Sequence, residues 1–581
     1  MVIFCGILLI AVALKRLMGL SVNRSLPLAF CVAVATSSIL VTTLSLFHAL
    51  TPRIIRILII ISYGSIAFWL WRRRDGVSPP SIEQSSRWTT LQRLLALTII
   101  SLLIPIAALA TLYPPSNWDS MTYHLSRVAM WIQNRSVFPY HTNNFRQVQL
   151  TPGAEYLILI EQLFWFSDTF ANWIQLSAFI ALGIGTYGWC THWGISRVSS
   201  LLLILTTFSA PMIVLQAQTT QNDLAAAVPV FLLFVLVVDR LICRPKEALI
   251  RPLSHIEVIA IPLSLAVGHL IKPTATLISL PLVAIFTIPA LATLLKDRMR
   301  VGQLIGVSLL SGAAGLPEVI IRKATFGSIS ISSQHVRTDL HNLGEQSFNG
   351  VRHLADHFPN WIMTPILTRV ARFFGTAPNI IVDTGQIFSA NEDLTGNPTQ
   401  ALFYITILLL LVIDRSRRAL LVTTISVSSW FLLHAIVNNQ PWMSRLQTPW
   451  FVMMVAASAF AAFLRPQLTQ GILWFTAIMG AYDASVVLRA EFAERKIYYT
   501  EALPFDRQLR YHGYFLRRTS AEIPFSRLKR IISLCDTVGY ISGEDDFDYP
   551  IAWLTIRNGR RFEHRAHTPH VGDKCTLLAQ P

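Results

Sequence analysis

Apolar runs of roughly the 20 residues that a helix needs to cross a bilayer recur along most of the chain. They cover 2–20, 26–50, 54–71, 92–112, 224–242, 255–271, 274–295, 302–321, 419–437, 447–464 and 471–489, with a shorter run at 401–413. Three more apolar pieces, 154–166, 170–190 and 199–215, follow one another closely. Only helices and closed barrels satisfy their backbone inside a bilayer, and runs of this length predict helices. The expected fold is therefore an all-α polytopic membrane protein with about 12–14 transmembrane helices. Spans follow the first apolar run in close succession, so that run does not read as a cleaved signal peptide.

Composition agrees with that reading. Of 581 residues, 53% are hydrophobic and 14% charged, where a soluble protein carries about 25% charged residues. A single soluble core also stops growing near roughly 250–300 residues. A soluble enzyme, a nucleic-acid binder and a disordered scaffold are excluded. The net charge of +16 is explained by where the cations fall: Arg72-Arg73-Arg74, Arg244–Arg251, Lys296–Arg300, Arg415–Arg418 and Arg465 each follow an apolar run. The positive-inside rule places these loops in the cytoplasm. Segments 113–153, 323–400, 438–446 and everything after about 490 then face the other side.

The chain divides accordingly. Residues 1–91 carry extra N-terminal helices, 92–322 a transmembrane module with the first outer loop at 113–153, and 323–400 a large outer loop. Residues 401–489 return to the membrane, and 490–581 form a small α+β extramembrane domain. Both 113–153 and the polar patch Gln216–Asp223 are expected outside, with three apolar pieces between them. One of those pieces is expected not to cross fully. Cys535 and Cys575 lie in the outer tail, where a disulfide and two thiols are both open readings. No internal repeat of the kind that builds many transporters is visible. The asymmetric layout points to chemistry at one membrane face.

The first outer loop is the most informative stretch. Pro114-Pro115 ends a span. Asp119 then opens a helix in which Met121, Leu125, Val128 and Ile132 share one face, while His124, Arg127 and Trp131 share another. Such a helix is suited to lying in the membrane interface, with Asp119 at the mouth of a cavity between spans. A carboxylate there can serve as general base or hold a divalent cation beside a phosphate. Capping of the helix by Asp119 or Ser120 is the structural alternative.

Asn117-Trp118-Asp119-Ser120-Met121-Thr122-Tyr123-His124-Leu125, Trp131-Ile132-Gln133-Asn134 and Pro152-Gly153-Ala154-Glu155 give this loop a resemblance to the GT-C membrane glycosyltransferases. It is most similar to the bacterial relatives of the protein O-mannosyltransferases and to the lipid A aminoarabinose transferases, a glycosyltransferase family 39-like group. The resemblance extends loosely over 92–465. It implies a bacterial plasma-membrane enzyme that moves a sugar from a polyprenyl-phosphate-linked donor to a lipid, glycan or protein acceptor. The site would lie on the extracytoplasmic face, with inversion at the anomeric carbon and Asp119 as the catalytic-loop acid. The family often has an adjacent acidic pair; Ser120 stands in that place here, which leaves a divalent metal ion open. Glu155 is the nearest later acid, and a salt bridge to Arg127 or Arg146 competes with a metal or acceptor role.

Other polar groups on the expected outer face are Asn222 and Asp223, suited to sugar hydroxyls or to capping the next helix. Lys272 precedes Pro273, and Arg445 lies in a short loop between spans. Both could hold the phosphate of a lipid-linked donor, or simply meet the headgroup layer. His124 and Arg127 complete the candidate substrate contacts. His335, His341, His353 and His357 read as scattered loop histidines rather than a metal site, and Glu544-Asp545-Asp546 with Asp548 as a solvated turn. No P-loop, dinucleotide fingerprint, zinc CxxC pair or GxSxG is present. A transporter or flippase of lipid-linked saccharides, and an oligosaccharide ligase or polymerase, are the alternative functions.

Overall fold

The computed structural model describes residues 1–73, 87–243, 251–327, 343–375, 389–437, 440–498, 507–565 and 574–579. Arg74, the stretch 244–250, His335 and His341 lie outside the described residues.

Helices dominate. α1 (Val2–Met18), α2 (Val22–Ser45), α3 (Pro52–Arg72) and α4 (Thr90–Leu112) lead into a π-helical turn (Ser120–His124), α5 (Leu125–Asn134), α6 (Arg146–Gln149) and α7 (Gly153–Trp165). The middle of the chain forms α8 (Trp173–His192), α9 (Arg197–Phe208), α10 (Pro211–Gln216), α11 (Asp223–Cys243), α12 (His255–Ile271), α13 (Pro273–Lys296) and α14 (Arg298–Phe326). Then come α15 (Leu343–Ala355), α16 (Asn360–Phe373), α17 (Pro398–Asp414), α18 (Arg417–Ile436), α19 (Met443–Leu446), α20 (Thr448–Leu464) and α21 (Pro466–Tyr498). The tail adds α22 (Arg507–Tyr514), α23 (Phe525–Leu534), β1 (Thr537–Ile541), α24 (Asp548–Arg557), β2 (Arg561–His564) and β3 (Thr576–Leu578).

The chain is a multi-pass helical membrane protein. Among the described residues, eight helices are long and apolar enough to cross a membrane, and four shorter ones are apolar as well. Their starts are marked chemically. Thr89 with Gln92 and Ser254 with Glu257 form capping boxes, and α3, α13, α17 and α20 carry Pro in the first turn. α11 is apolar on all sides and buried along nearly its whole length, which makes it the central pillar of the bundle. α8 reaches α2 closely because it presents small residues there: a Cβ on Gly188 would sit 2.6 Å from the Asn23 side chain.

Polar ties sort the helix ends onto two faces. On one face, Arg16 Nη1 donates to Leu70 O (2.8 Å), Arg418 Nη1 to Leu241 O (3.0 Å) and Arg300 Nη1 to Leu253 O (2.8 Å), while Arg240 pairs with Glu257. These are the basic ends. On the opposite face, Asp119, Asp223, Lys272 and Arg445 come together. Both ends of α7 reach this second face. Gly153 lies against Leu270–Ile271 at the end of α12, and Gln162 Nε2 donates to Tyr549 OH of the tail (3.3 Å). α7 is thus the apolar piece that does not cross. α8 then crosses, and α9 with α10 returns.

The tail domain sits on the same face. Its sheet is parallel throughout, in the order β2-β1-β3, and Cys535 and Cys575 form a disulfide. Asp168, after α7, accepts from Arg510 Nη2 (2.8 Å), Tyr514 OH (2.6 Å) and Tyr549 OH (3.1 Å), which fastens the tail to the bundle.

Two expectations are corrected here. The helix after Asp119 presents no free polar face at a membrane surface: Met121, Leu125 and Val128 are buried, but so are His124 and Arg127, whose partners are Glu155 of α7 and the backbone oxygens of Arg146 and Leu150, while α24 also packs against the helix. The acidic stretch of the tail is a solvated turn only in part: Glu544 and Asp545 are exposed, but Asp548 is not. Asp545 pairs with Arg146, Asp546 with Arg518, and Asp548 is fully buried against Gln147 (2.8 Å). The turn packs onto the first loop, where Arg146 is one counter-charge, while Arg518 of the tail supplies the other.

Candidate active site

Asp119 immediately precedes the π-helical turn, whose wide register is marked by Leu125 N–H donating to Ser120 O. Such turns are uncommon and frequent at functional sites. The carboxylate makes no capping hydrogen bond. Its Oδ2 instead accepts from Arg445 Nη1 (2.7 Å) and Tyr123 OH (3.1 Å), and Arg146 Nη1 stands 3.9 Å from Oδ1. The Ser120 hydroxyl turns the other way, toward Asn117 and Thr220.

Arg445 is presented by the short α19 between α18 and α20. The same Nη1 pairs with Asp393, and Nε lies 3.7 Å from Asp223 Oδ2. Asp223, the first residue of α11, also pairs through Oδ1 with Lys272. Lys272 occupies the single extended position (φ −158°) between α12 and α13, the conformation favoured for a residue before proline. Three carboxylates and two cations from five separate segments therefore share one cluster. It is largely closed: Asp119 and Arg445 are each 8% exposed and Asp223 1%. Arg445 Nε and Asp223 Oδ2 face each other with no hydrogen-bond partner among the described residues.

The two carboxylates on Arg445 Nη1 are electrostatically unequal. Burial by itself would raise the Asp119 pKa, but Arg445, His124 and Arg146 outweigh it and hold the group at about 2. For Asp393 burial prevails over Arg445, and the charge of Asp119 adds to it, so its pKa is raised. One Arg thus serves a carboxylate whose pKa is lowered and one whose pKa is raised.

The remaining candidates form the walls. His124 Nδ1 meets Glu155 Oε1 at 2.7 Å, and Arg127 Nη1 lies 3.6 Å from the same oxygen. Arg127 also donates to Leu150 O (3.0 Å) and Arg146 O (2.5 Å). These three residues are buried behind Tyr123 and brace the loop; Glu155 takes Arg127, not Arg146, as its cation. Asn222 Nδ2 donates to Ile271 O (3.2 Å), tying the start of α11 to the end of α12.

Asp393 was not among the residues singled out by sequence. It stands in the loop before α17, where Gln221 Nε2 donates to it (2.8 Å). Its only sequence signal is an acid beside Glu392 a few residues before an apolar run.

His353 and His357 bond within the protein. His353 Nδ1 meets Asp356 (2.9 Å), and His357 Nε2 meets Gln447 Oε1 (2.5 Å) while its Nδ1 accepts from Asn397 N–H (3.1 Å). Burial lowers the His357 pKa to about 4, so this histidine holds the segment carrying Arg445 in its neutral form. The all-oxygen set of Asp119, Asp223 and Asp393 is of a kind that Mg²⁺ or Ca²⁺ takes; in this structure each of the three is paired with Arg445 or Lys272.

No family model matches the chain, and no curated protein matches it. It is similar to the solved structure of ArnT from Cupriavidus metallidurans bound to undecaprenyl phosphate, with 12% identity and a TM-score of 0.48 over 82% of this chain and 87% of that one. It is also similar to the apo structure of that protein, with 14% identity and a TM-score of 0.38 over 81% of this chain and 75% of that one.

Proposed function

We propose that the protein transfers a sugar from a polyprenyl-phosphate carrier to an acceptor hydroxyl at the face bearing the Asp119–Arg445 cluster. The observation that carries this reading is the convergence of Asp119, Asp223 and Asp393 on Arg445 and Lys272 in one closed site. Arg445 supplies a planar fork matched to phosphate, and Lys272 a point charge.

In the transfer, the acceptor hydroxyl gives its proton to Asp119 and its oxygen attacks the anomeric carbon. The bond from that carbon to the phosphate oxygen breaks, and its electron pair leaves with the phosphate, whose charge Arg445 and Lys272 offset. A carboxylate held at a pKa of about 2 is a weak base. Donor binding corrects this: a phosphate that engages Arg445 draws it from Asp119, and the burial of Asp119 then raises its basicity. Asp393, beside the same Arg445 nitrogen, is placed to hydrogen-bond the sugar. The carrier phosphate is already a leaving group, so neither a nucleotide nor a metal is required to activate it. Inversion and a lipid, glycan or protein acceptor follow from the resemblance in the first loop.

Placement of the site on the extracytoplasmic side is supported by the basic helix ends on the opposite face and by the Cys535–Cys575 disulfide in the tail. The alternative, a carrier of lipid-linked saccharide, would need polar groups along its path. The residues from Leu224 to Val238 in α11, the central helix leading away from the site, are apolar throughout. The test is to supply purified protein in proteoliposomes with a polyprenyl-phosphate sugar and candidate acceptors. Formation of glycosylated acceptor is expected; movement of intact donor across the bilayer without any transfer would overturn the reading.

A further inference from the structure

On the face opposite the candidate site, α8 and α11 end side by side. His192 is the last residue of α8, while Asp239 and Cys243 lie one turn apart on the same side of α11. His192 Nε2 is 3.3 Å and Cys243 Sγ 3.6 Å from Asp239 Oδ1, and the three ligand atoms all lie within 4.8 Å of one another. Among the described residues, no other group of three or more His, Cys, Asp or Glu side chains converges so closely.

We propose that His192, Asp239 and Cys243 form a binding site for a borderline divalent metal ion of the zinc class. Three arguments carry it. First, one imidazole, one carboxylate and one thiol are the mixed donor set that such ions take. Second, a tetrahedral ion with bonds of about 2.0–2.3 Å spaces its ligand atoms by roughly 3.3–3.7 Å, and the two distances to Asp239 already have those lengths. Third, supporting contacts are in place: Trp193 Nε1 donates to Asp239 Oδ1 (2.9 Å), and Trp189 packs edge-on to His192 (5.9 Å). Partners of this kind orient metal ligands. His192 and Asp239 are 36% and 31% exposed and Cys243 is exposed, so an ion can reach all three. A bound ion would clamp the end of α8 to the end of α11. It would do so independently of sugar transfer.

The test uses the full-length protein, free of any histidine tag, in detergent, with Co²⁺ as probe and Zn²⁺ as competitor. One equivalent of Co²⁺ is expected to bind with a thiolate-to-cobalt charge-transfer band, and Zn²⁺ should displace it. C243S should lose the band, H192Q should weaken binding about 10–100-fold, and C5S should change neither. In the unsubstituted protein, Zn²⁺ should also protect Cys243 from alkylation, a readout that does not depend on a variant folding. Absence of stoichiometric Co²⁺, binding without a thiolate band, or alkylation of Cys243 unaffected by Zn²⁺ would overturn the proposal and show a plain His–Asp hydrogen bond.

Discussion

Arg445 Nη1 reaches Asp119 Oδ2 at 2.7 Å across 326 residues of sequence. That contact holds Asp119 ionised and joins the loop after α4 to the segment between α18 and α20. Removing the cation should therefore be read out in Asp119. In R445Q the pKa of Asp119 is expected to rise, because burial is then less opposed. An acid must be ionised to act as a base, so the acidic limb of the rate–pH profile should move to higher pH. The profile of R445Q against the parent checks this, and an unmoved limb would separate Asp119 from the titration.

In the proposed reaction Lys272 and Arg445 hold the donor phosphate. K272M should weaken donor binding about 10–100-fold, the loss of one charge-assisted contact, while D119N should bind donor as the parent does. Titration with a polyprenyl-phosphate analogue distinguishes them. Equal weakening in both variants would mean that Lys272 supports the site rather than the phosphate.

Asp393 pairs with the same Arg445 nitrogen as Asp119, but burial and the charge of Asp119 raise its pKa and make it less ready to carry charge. The neutral isostere in D393N should then cost no more than about tenfold in rate, against the 10²–10⁴-fold contribution typical of a general base. A D393N variant as inactive as D119N would exchange the two roles.

Asp548 gives a pH test of the tail. Burial pushes its pKa up to about 8, against the hydrogen bond from Gln147. The folded state thus holds a proton that the unfolded chain releases near pH 4. This contribution to stability is full below about pH 4 and is lost as pH rises through about 8. Melting of the parent should fall across that window more steeply than melting of D548N, whose side chain stays neutral. Parallel curves would contradict the assignment.

Much of this architecture was legible in the chain, for a physical reason: crossing a bilayer requires long apolar runs, so isolated charges at their ends stand out. Asp119, Asp223, Lys272 and Arg445 were found that way, and they do converge. Asp393 was not, because it lies in an aperiodic loop and its partner is 52 residues away. The helix α5 was misplaced because an amphipathic face looks the same whether lipid or protein covers it. Part of its cover comes from Glu155 and the backbone around Arg146, and part from the far end of the chain, where Gln133 Nε2 donates to Phe562 O across 429 residues. His124, Arg127 and Glu155 were visible as polar residues, but their sequence did not tell that they bond to one another behind the site.

The most direct measurement is transfer by purified D119N from a polyprenyl-phosphate sugar to acceptor, with donor binding measured on the same preparation. Loss of about 10²–10⁴-fold in turnover with donor binding retained is the expected result. Turnover equal to that of the parent would contradict a role for Asp119 as the base.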